Sequence, residues 1–119
     1  MAESNMTEVA QELLRQSKEH KVNWEESGKK DSYRVFVPDV SLSISRLPRF
    51  DPFAHTPVPE EEDFNYLLDL YSDSGRIIGR LAPAQEDPMH QVLADLFGVA
   101  EECVQQRGID KALEYLKRS

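Results

Sequence analysis

The stretch that most constrains the fold runs from Tyr33 to Leu47, YRVFVPDVSLSISRL. Apolar side chains alternate with other residues on both sides of a break at Pro38-Asp39, and this period of two is typical of half-buried strands. Two such runs around a Pro-Asp break predict an antiparallel hairpin. The fold must therefore contain a sheet with one buried face, and other elements must cover that face.

The segments around this hairpin predict two more strands and a first helix. Residues 64–71 and 76–81 are predicted to be strands joined by a turn at 72–75, in which Gly75 is free to take a positive φ. Residues 4–20 predict an amphipathic helix, because apolar residues recur at spacings of three and four. The alternation at Val22-Asn23-Trp24 predicts a short extended segment, which would give the sheet a fifth, short strand.

The last third of the chain predicts a pair of helices. Asp87 is suited to cap the first of them, with Pro88 at its first position. Gly108 is placed where a helix commonly ends, and the segment after it predicts a second short helix over 110–118. This second helix is expected to point three apolar residues inward, namely Ala112, Leu113 and Leu116.

Together these elements predict a single α+β domain over residues 1–119. An antiparallel β-meander of four main strands packs against the N-terminal helix and the C-terminal helix pair. Residues 48–63 form a Pro/Phe-rich inserted loop, since four prolines exclude a regular element there. A length of 119 residues is enough for one domain with a modest core.

The alternation also assigns residues to a second face of the sheet, away from the helices. Three of the five residues assigned there are large and apolar, and an exposed patch of this kind generally marks an interface. We expect the phenylalanines of the 48–63 loop to cover it. The predicted interaction surface therefore comprises Phe36, Phe50, Phe53, Leu67 and Tyr71, with Arg34 and Asp69 on the same face.

The order of elements, with the segments VNWEES, SYRV, SLSISR and GIDKALEYL, resembles a group of small, largely uncharacterised bacterial proteins. The resemblance covers most of the chain and implies the same helix, β-meander and helix arrangement. It implies no catalytic or binding residue. The chain departs from the group at 48–63, where the corresponding segment is usually shorter and polar.

The charge of the chain narrows the classes of partner. A formal net charge of -8 argues against sequence-independent binding of nucleic acid, which depends on Lys and Arg neutralising phosphates. Residues 29–49 carry a local excess of basic side chains. We interpret this excess as a solvated face that balances the acidic segment downstream, with phosphate binding as the alternative. The sequence has no run of about 18 apolar residues and no basic-then-apolar leader, so we expect a cytoplasmic protein that does not bind membranes.

No arrangement of reactive side chains indicates catalysis. His20, His55 and His90 fall in different predicted elements, without the spacing of metal ligands. Cys103 is the only cysteine and falls on the apolar face of a helix, so we expect a buried and inert thiol, with Arg107 pointing to solvent. No catalytic, metal-binding or cofactor-binding residue and no cofactor is predicted.

Two functions from different classes remain. The first is a non-catalytic protein–protein interaction or regulatory module that binds another protein or a second copy of itself. The acidic charge and the partly apolar second face favour it. The alternative is a small-molecule-binding protein or enzyme with a pocket between the sheet and the helices, which would need convergent polar groups in that space.

Overall fold

The computed structural model describes residues 2–48 and 64–118, with side chains from residue 6 onward. Within these residues, two helices and five strands follow one another in the order helix, five strands, helix. Their bounds are α1 Ala2–Lys18, β1 Glu25–Glu26, β2 Ser32–Val37, β3 Val40–Pro48, β4 Phe64–Ser72, β5 Ile77–Leu81 and α2 Pro88–Arg118. The predicted α+β class is confirmed. A fifth, short strand is present, but it lies at Glu25–Glu26 and not at the predicted residues 22–24. Phe50, Phe53 and His55 lie outside the described residues.

The five strands form one antiparallel sheet in the order β1-β2-β3-β4-β5, as the meander prediction requires. The β2–β3 hairpin pairs Val37 with Val40 across a two-residue turn, in which Asp39 takes a φ of 69°. Gly75 takes a φ of 86° in the β4–β5 turn, where a residue with a side chain would be strained. Both turns are therefore specified by local residues.

A bulge in β5 lets α1 approach the sheet closely. Leu70 pairs with Gly79 and Tyr71 pairs with Ile77, so one residue of β5 is extra at this point. A Cβ atom on Gly79 would lie 2.8 Å from the Sδ atom of Met6 in α1. A larger residue at this position would require the Met6 side chain to move.

The core lies between the helices and one face of the sheet. Its largest fully enclosed side chains are Trp24, Ile44, Leu68, Leu93 and Leu96. The indole N–H of Trp24 donates to the Ser17 hydroxyl over 3.0 Å, which satisfies the one polar group of a buried tryptophan. This bond ties the end of α1 to the segment that enters β1.

Two tyrosines pack around Phe97 at the edge of this core. The ring centroids of Tyr33 and Tyr66 lie 5.4 Å and 5.9 Å from that of Phe97. Burial is the main cause that raises the pKa of both phenols above 10.0, because the ionised form loses its hydration. The C-terminal helix is thereby joined to both β2 and β4.

The helix α2 begins as predicted but does not end as predicted. The Asp87 carboxylate caps it by accepting a bond from the Met89 backbone N–H over 2.9 Å. The expected pair of helices is wrong, since one helix of 31 residues runs from Pro88 to Arg118. Gly108 keeps a negative φ, whereas a terminating glycine would need a positive one. The Gln106 side chain bonds to Asp110 over 3.0 Å across this glycine.

The end of α2 leaves the core altogether. We name residues 108–118 the α2 extension, and all of them are exposed. The expectation that Ala112, Leu113 and Leu116 point inward is wrong, because no described element packs on this part of the helix. No helix among the described residues has both the length and the hydropathy that a membrane span requires.

Candidate interaction surfaces

The second face of the sheet contains the residues that the alternation assigned to it. The strand registers align Phe36, Ser41 and Tyr71 in one row. The next row places Arg34, Ser43, Asp69 and Arg80 side by side, and a third row holds Ser32, Ser45 and Leu67. The assignment of faces is therefore confirmed for the described strands.

The apolar part of this face is smaller than the sequence suggested. Phe36 is 63% exposed, while Leu67 and Tyr71 are half-buried within the sheet. Phe50 and Phe53, which were expected to cover the patch, lie outside the described residues. Three of the five residues predicted for the interaction surface lie on this face, and a polar row separates Leu67 from the other two.

The centre of the second face is polar and buried. Asp69 and Ser43 are each only 4% exposed. The Arg80 guanidinium donates two bonds to the Asp69 carboxylate, from Nε over 2.7 Å and from Nη2 over 3.3 Å. These bonds raise the pKa of Arg80 and offset the burial of the carboxylate.

Arg34 lies in the same polar row as Arg80, but it contacts aromatic rings where Arg80 contacts a carboxylate. Its guanidinium carbon is 5.8 Å from the centre of the Phe36 ring and 5.6 Å from that of Tyr71, which is within the range of cation–π attraction. Glu25 is opposite Arg34 in the β1–β2 register. Among the described residues, no carboxylate lies within 4 Å of the Arg34 guanidinium.

The α2 extension is a second candidate surface, and the sequence analysis missed it. Ile109, Leu113 and Leu116 are 52%, 47% and 63% exposed, and Tyr115 is 73% exposed. Spacings of four and three place the first three on one side of the helix. The same spacing in the sequence predicted a buried stripe, because sequence periodicity shows that a helix is amphipathic but not what covers it.

Opposite charges flank this apolar stripe. Asp110 and Lys117 are seven residues apart, so they lie on the same flank at opposite ends of the extension. If two such helices pair in opposite directions, Asp110 of each meets Lys117 of the other. The α2 extension is therefore self-complementary in charge.

A shallow groove lies where α1 ends beside α2, and it contains Cys103. This thiol is only half-buried, so the prediction of a buried thiol is wrong, and its Sγ atom is 3.8 Å from Nη2 of Arg107. Arg107 also bonds to the Asn23 side chain, so the prediction that it points to solvent is wrong. His20 and Val22 complete one wall of the groove.

The alternative function places its pocket between the sheet and the helices. Trp24, Leu68 and Leu93 are fully buried in that layer. Within residues 2–48 and 64–118, no three His, Cys, Asp or Glu side chains are grouped as metal ligands would be. His90 instead bonds to the backbone oxygen of Phe64 over 3.0 Å.

None of the protein-family models, curated proteins or solved structures compared with the chain matches it. The function must therefore be inferred from the two surfaces themselves.

Proposed function

We propose that the protein is a non-catalytic interaction module that pairs with a second copy of itself through the α2 extension. The observation that carries this proposal is the exposed apolar stripe of Ile109, Leu113 and Leu116. Exposed apolar side chains grouped on one helix face are typical of helix–helix interfaces. We also propose that the protein is cytoplasmic and that it catalyses no reaction.

The charge pattern selects a second copy of the chain as the partner. An antiparallel pair places Leu113 at its centre, with Ile109 of one chain against Leu116 of the other. The Asp110 and Lys117 side chains then form two equivalent ion pairs across the two-fold axis. In a parallel pair, this flank would instead face the opposite flank of the partner helix, where Ala112 offers no charge to Asp110 or Lys117.

The energy of such a contact predicts a weak dimer. Full burial of a Leu or Ile side chain contributes about 1.5–3 kcal/mol, and these side chains are already about half buried by the helix itself. Six of them contribute about 4–9 kcal/mol, against an association cost of about 4–15 kcal/mol. The most favourable difference, about 5 kcal/mol, corresponds to a Kd of a few tenths of a millimolar, so self-association should appear at sub-millimolar to millimolar protein concentrations.

The decisive measurement is sedimentation velocity over a series of protein concentrations. The unmodified protein should shift from monomer towards dimer as its concentration rises. Leu113→Glu should remain a monomer, because it places a charge at the centre of the contact. Leu47→Glu is the matched control: Leu47 is 49% exposed but lies on the second face of the sheet.

A charge exchange tests the direction of pairing. Asp110→Lys and Lys117→Asp should each weaken the dimer, and the double variant should restore it. A monomer at every concentration would contradict the proposal. Dimers lost in Leu47→Glu and kept in Leu113→Glu would move the interface to the second face of the sheet.

A further inference from the structure

The second face of the sheet contains a groove whose charge is opposite to that of the whole chain. Its volume is about 270 Å³, and it lies between the strands and the turn that precedes β2. Four cationic side chains line it, Lys29, Lys30, Arg34 and Arg80, with Asp69 as the one carboxylate among its lining residues. The formal charge of the groove is therefore +3, in a protein of formal net charge -8.

Three of these four cations have no ionic partner in the described part of the chain. Arg80 is matched by Asp69, whereas the ion pairs of the described residues include none from Lys29, Lys30 or Arg34. Like charges gathered at one place repel each other, and a bound anion would remove that repulsion. The lining of the groove therefore carries an excess of positive charge, and Glu25, opposite Arg34 in the β1–β2 register, is a carboxylate beside it that makes no ion pair with Arg34.

Among the four cations, Arg34 is the one whose side chain is already held in place by its neighbours. Its position between the Phe36 and Tyr71 rings restricts the side chain before any ligand arrives. Its Nε atom is shielded from solvent and has no hydrogen-bond acceptor among the described residues. A buried donor without an acceptor is uncommon and frequently marks the place of an absent partner.

Serine side chains supply neutral hydrogen-bonding groups beside these charges. Ser32, Ser43 and Ser45 all line the groove. The hydroxyls of Ser32 and Ser45 are hydrogen-bonded to each other over 3.0 Å, which leaves one of these two O–H groups free to donate. Hydroxyls can donate to the oxygen atoms of an anion while the cations offset its charge. The row that places Arg34 next to Ser43 fixes these two donors on rigid strands.

We propose that this groove binds the phosphate group of a small phosphorylated ligand. Phosphate carries more than one negative charge and several acceptor oxygens, which suits three unmatched cations better than a single carboxylate does. The planar guanidinium of Arg34 is the principal contact, and Lys29 and Lys30 add charge from the turn. This inference is independent of the proposed self-association, since it concerns the sheet and not the α2 extension.

Isothermal titration of the full chain with inorganic pyrophosphate tests the proposal, with succinate as a dianion without phosphorus. Saturable binding of pyrophosphate is expected, with clearly weaker binding of succinate. Arg34→Gln should weaken the binding of pyrophosphate about tenfold or more, as expected for the loss of charged hydrogen bonds. Lys30→Gln, at an exposed turn that does not support the fold, should weaken it by a smaller factor.

Lys111→Gln is the matched control, since it removes one cation from the α2 extension. It should leave the affinity for pyrophosphate unchanged. Absence of binding by the unmodified protein would overturn the proposal, as would equal effects of Lys111→Gln and Lys30→Gln. Equal affinity for succinate would overturn the assignment of phosphate, and tighter binding of a single-stranded oligonucleotide would overturn the assignment of a small ligand.

Discussion

The two parts of α2 share one continuous helix but have opposite surroundings. Residues 88–107 provide Leu93, Leu96 and Ala100 to the core, each with no exposed surface. Residues 108–118 have apolar residues at the same helical spacing, yet Leu113 and Leu116 remain about half exposed or more. The difference does not come from the helix sequence alone: the sheet and α1 cover the first part and do not reach the second.

This comparison shows that an amphipathic helix sequence does not by itself establish that the apolar side of the helix is buried. A stripe is a property of the helix sequence, whereas burial depends on the length of the elements opposite to it. At 1.5 Å per residue, α2 is about 46 Å long, which exceeds the reach of any strand of this sheet. The excess length remains uncovered within the described part of the chain.

The largest expected effect compares two leucines in the two parts of α2. Leu93→Ala should lower the free energy of unfolding by about 2–5 kcal/mol, because it leaves a cavity in the core. Leu113→Ala should change it by about 0.5 kcal/mol or less, since the side chain is 47% exposed. Urea denaturation at low protein concentration measures both. Equal losses would mean that the extension packs on the domain in solution.

A smaller effect is expected when the two glycines of α2 are replaced. A Cβ atom at Gly98 or at Gly108 would meet no atom within 4 Å, so alanine fits at both positions. Each replacement should stabilise the local helix by about 0.5–1 kcal/mol. Gly98→Ala should raise the stability of the whole domain. Gly108→Ala should instead slow amide hydrogen exchange in the extension alone, and a shared global effect would show that the two parts unfold together.

The smallest effect concerns stability at alkaline pH. Burial raises the pKa of Tyr66 above 10.0, so the folded protein binds this proton more tightly than the unfolded chain does. Stability is therefore full below pH 10.0 and falls as the pH rises through the folded pKa. Tyr66→Phe should reduce this fall. Tyr115→Phe, at a residue that is 73% exposed, should not, and identical denaturation curves for the two variants from pH 8 to 11 would refute the role of burial.

The sheet could be predicted from the sequence because its determinants are local. The alternation at Tyr33–Leu47 sets which side chains share a face, and Pro38-Asp39 and Gly75 set the turns. The cap at Asp87 was found for the same reason. These features need no knowledge of distant contacts.

The surfaces could not be predicted in the same way because they depend on several strands at once. The alternation assigns side chains to the second face, but it does not show that Ser43 is buried there between its register neighbours, Arg34 and Asp69. The local excess of basic residues was visible in the sequence. Arg80, which joins Lys29 and Lys30 in the groove, comes about fifty residues later in the chain, so only the fold brings it there.

The bond between Trp24 and Ser17 gives the domain an optical reporter. Trp24 is the only tryptophan of the chain and is fully enclosed, so its fluorescence originates from one environment. Release of α1 would expose the indole to water and break its bond to Ser17. The emission maximum should then move to longer wavelengths, so one spectrum distinguishes a detached α1 from changes confined to the α2 extension, whose aromatic residue is Tyr115.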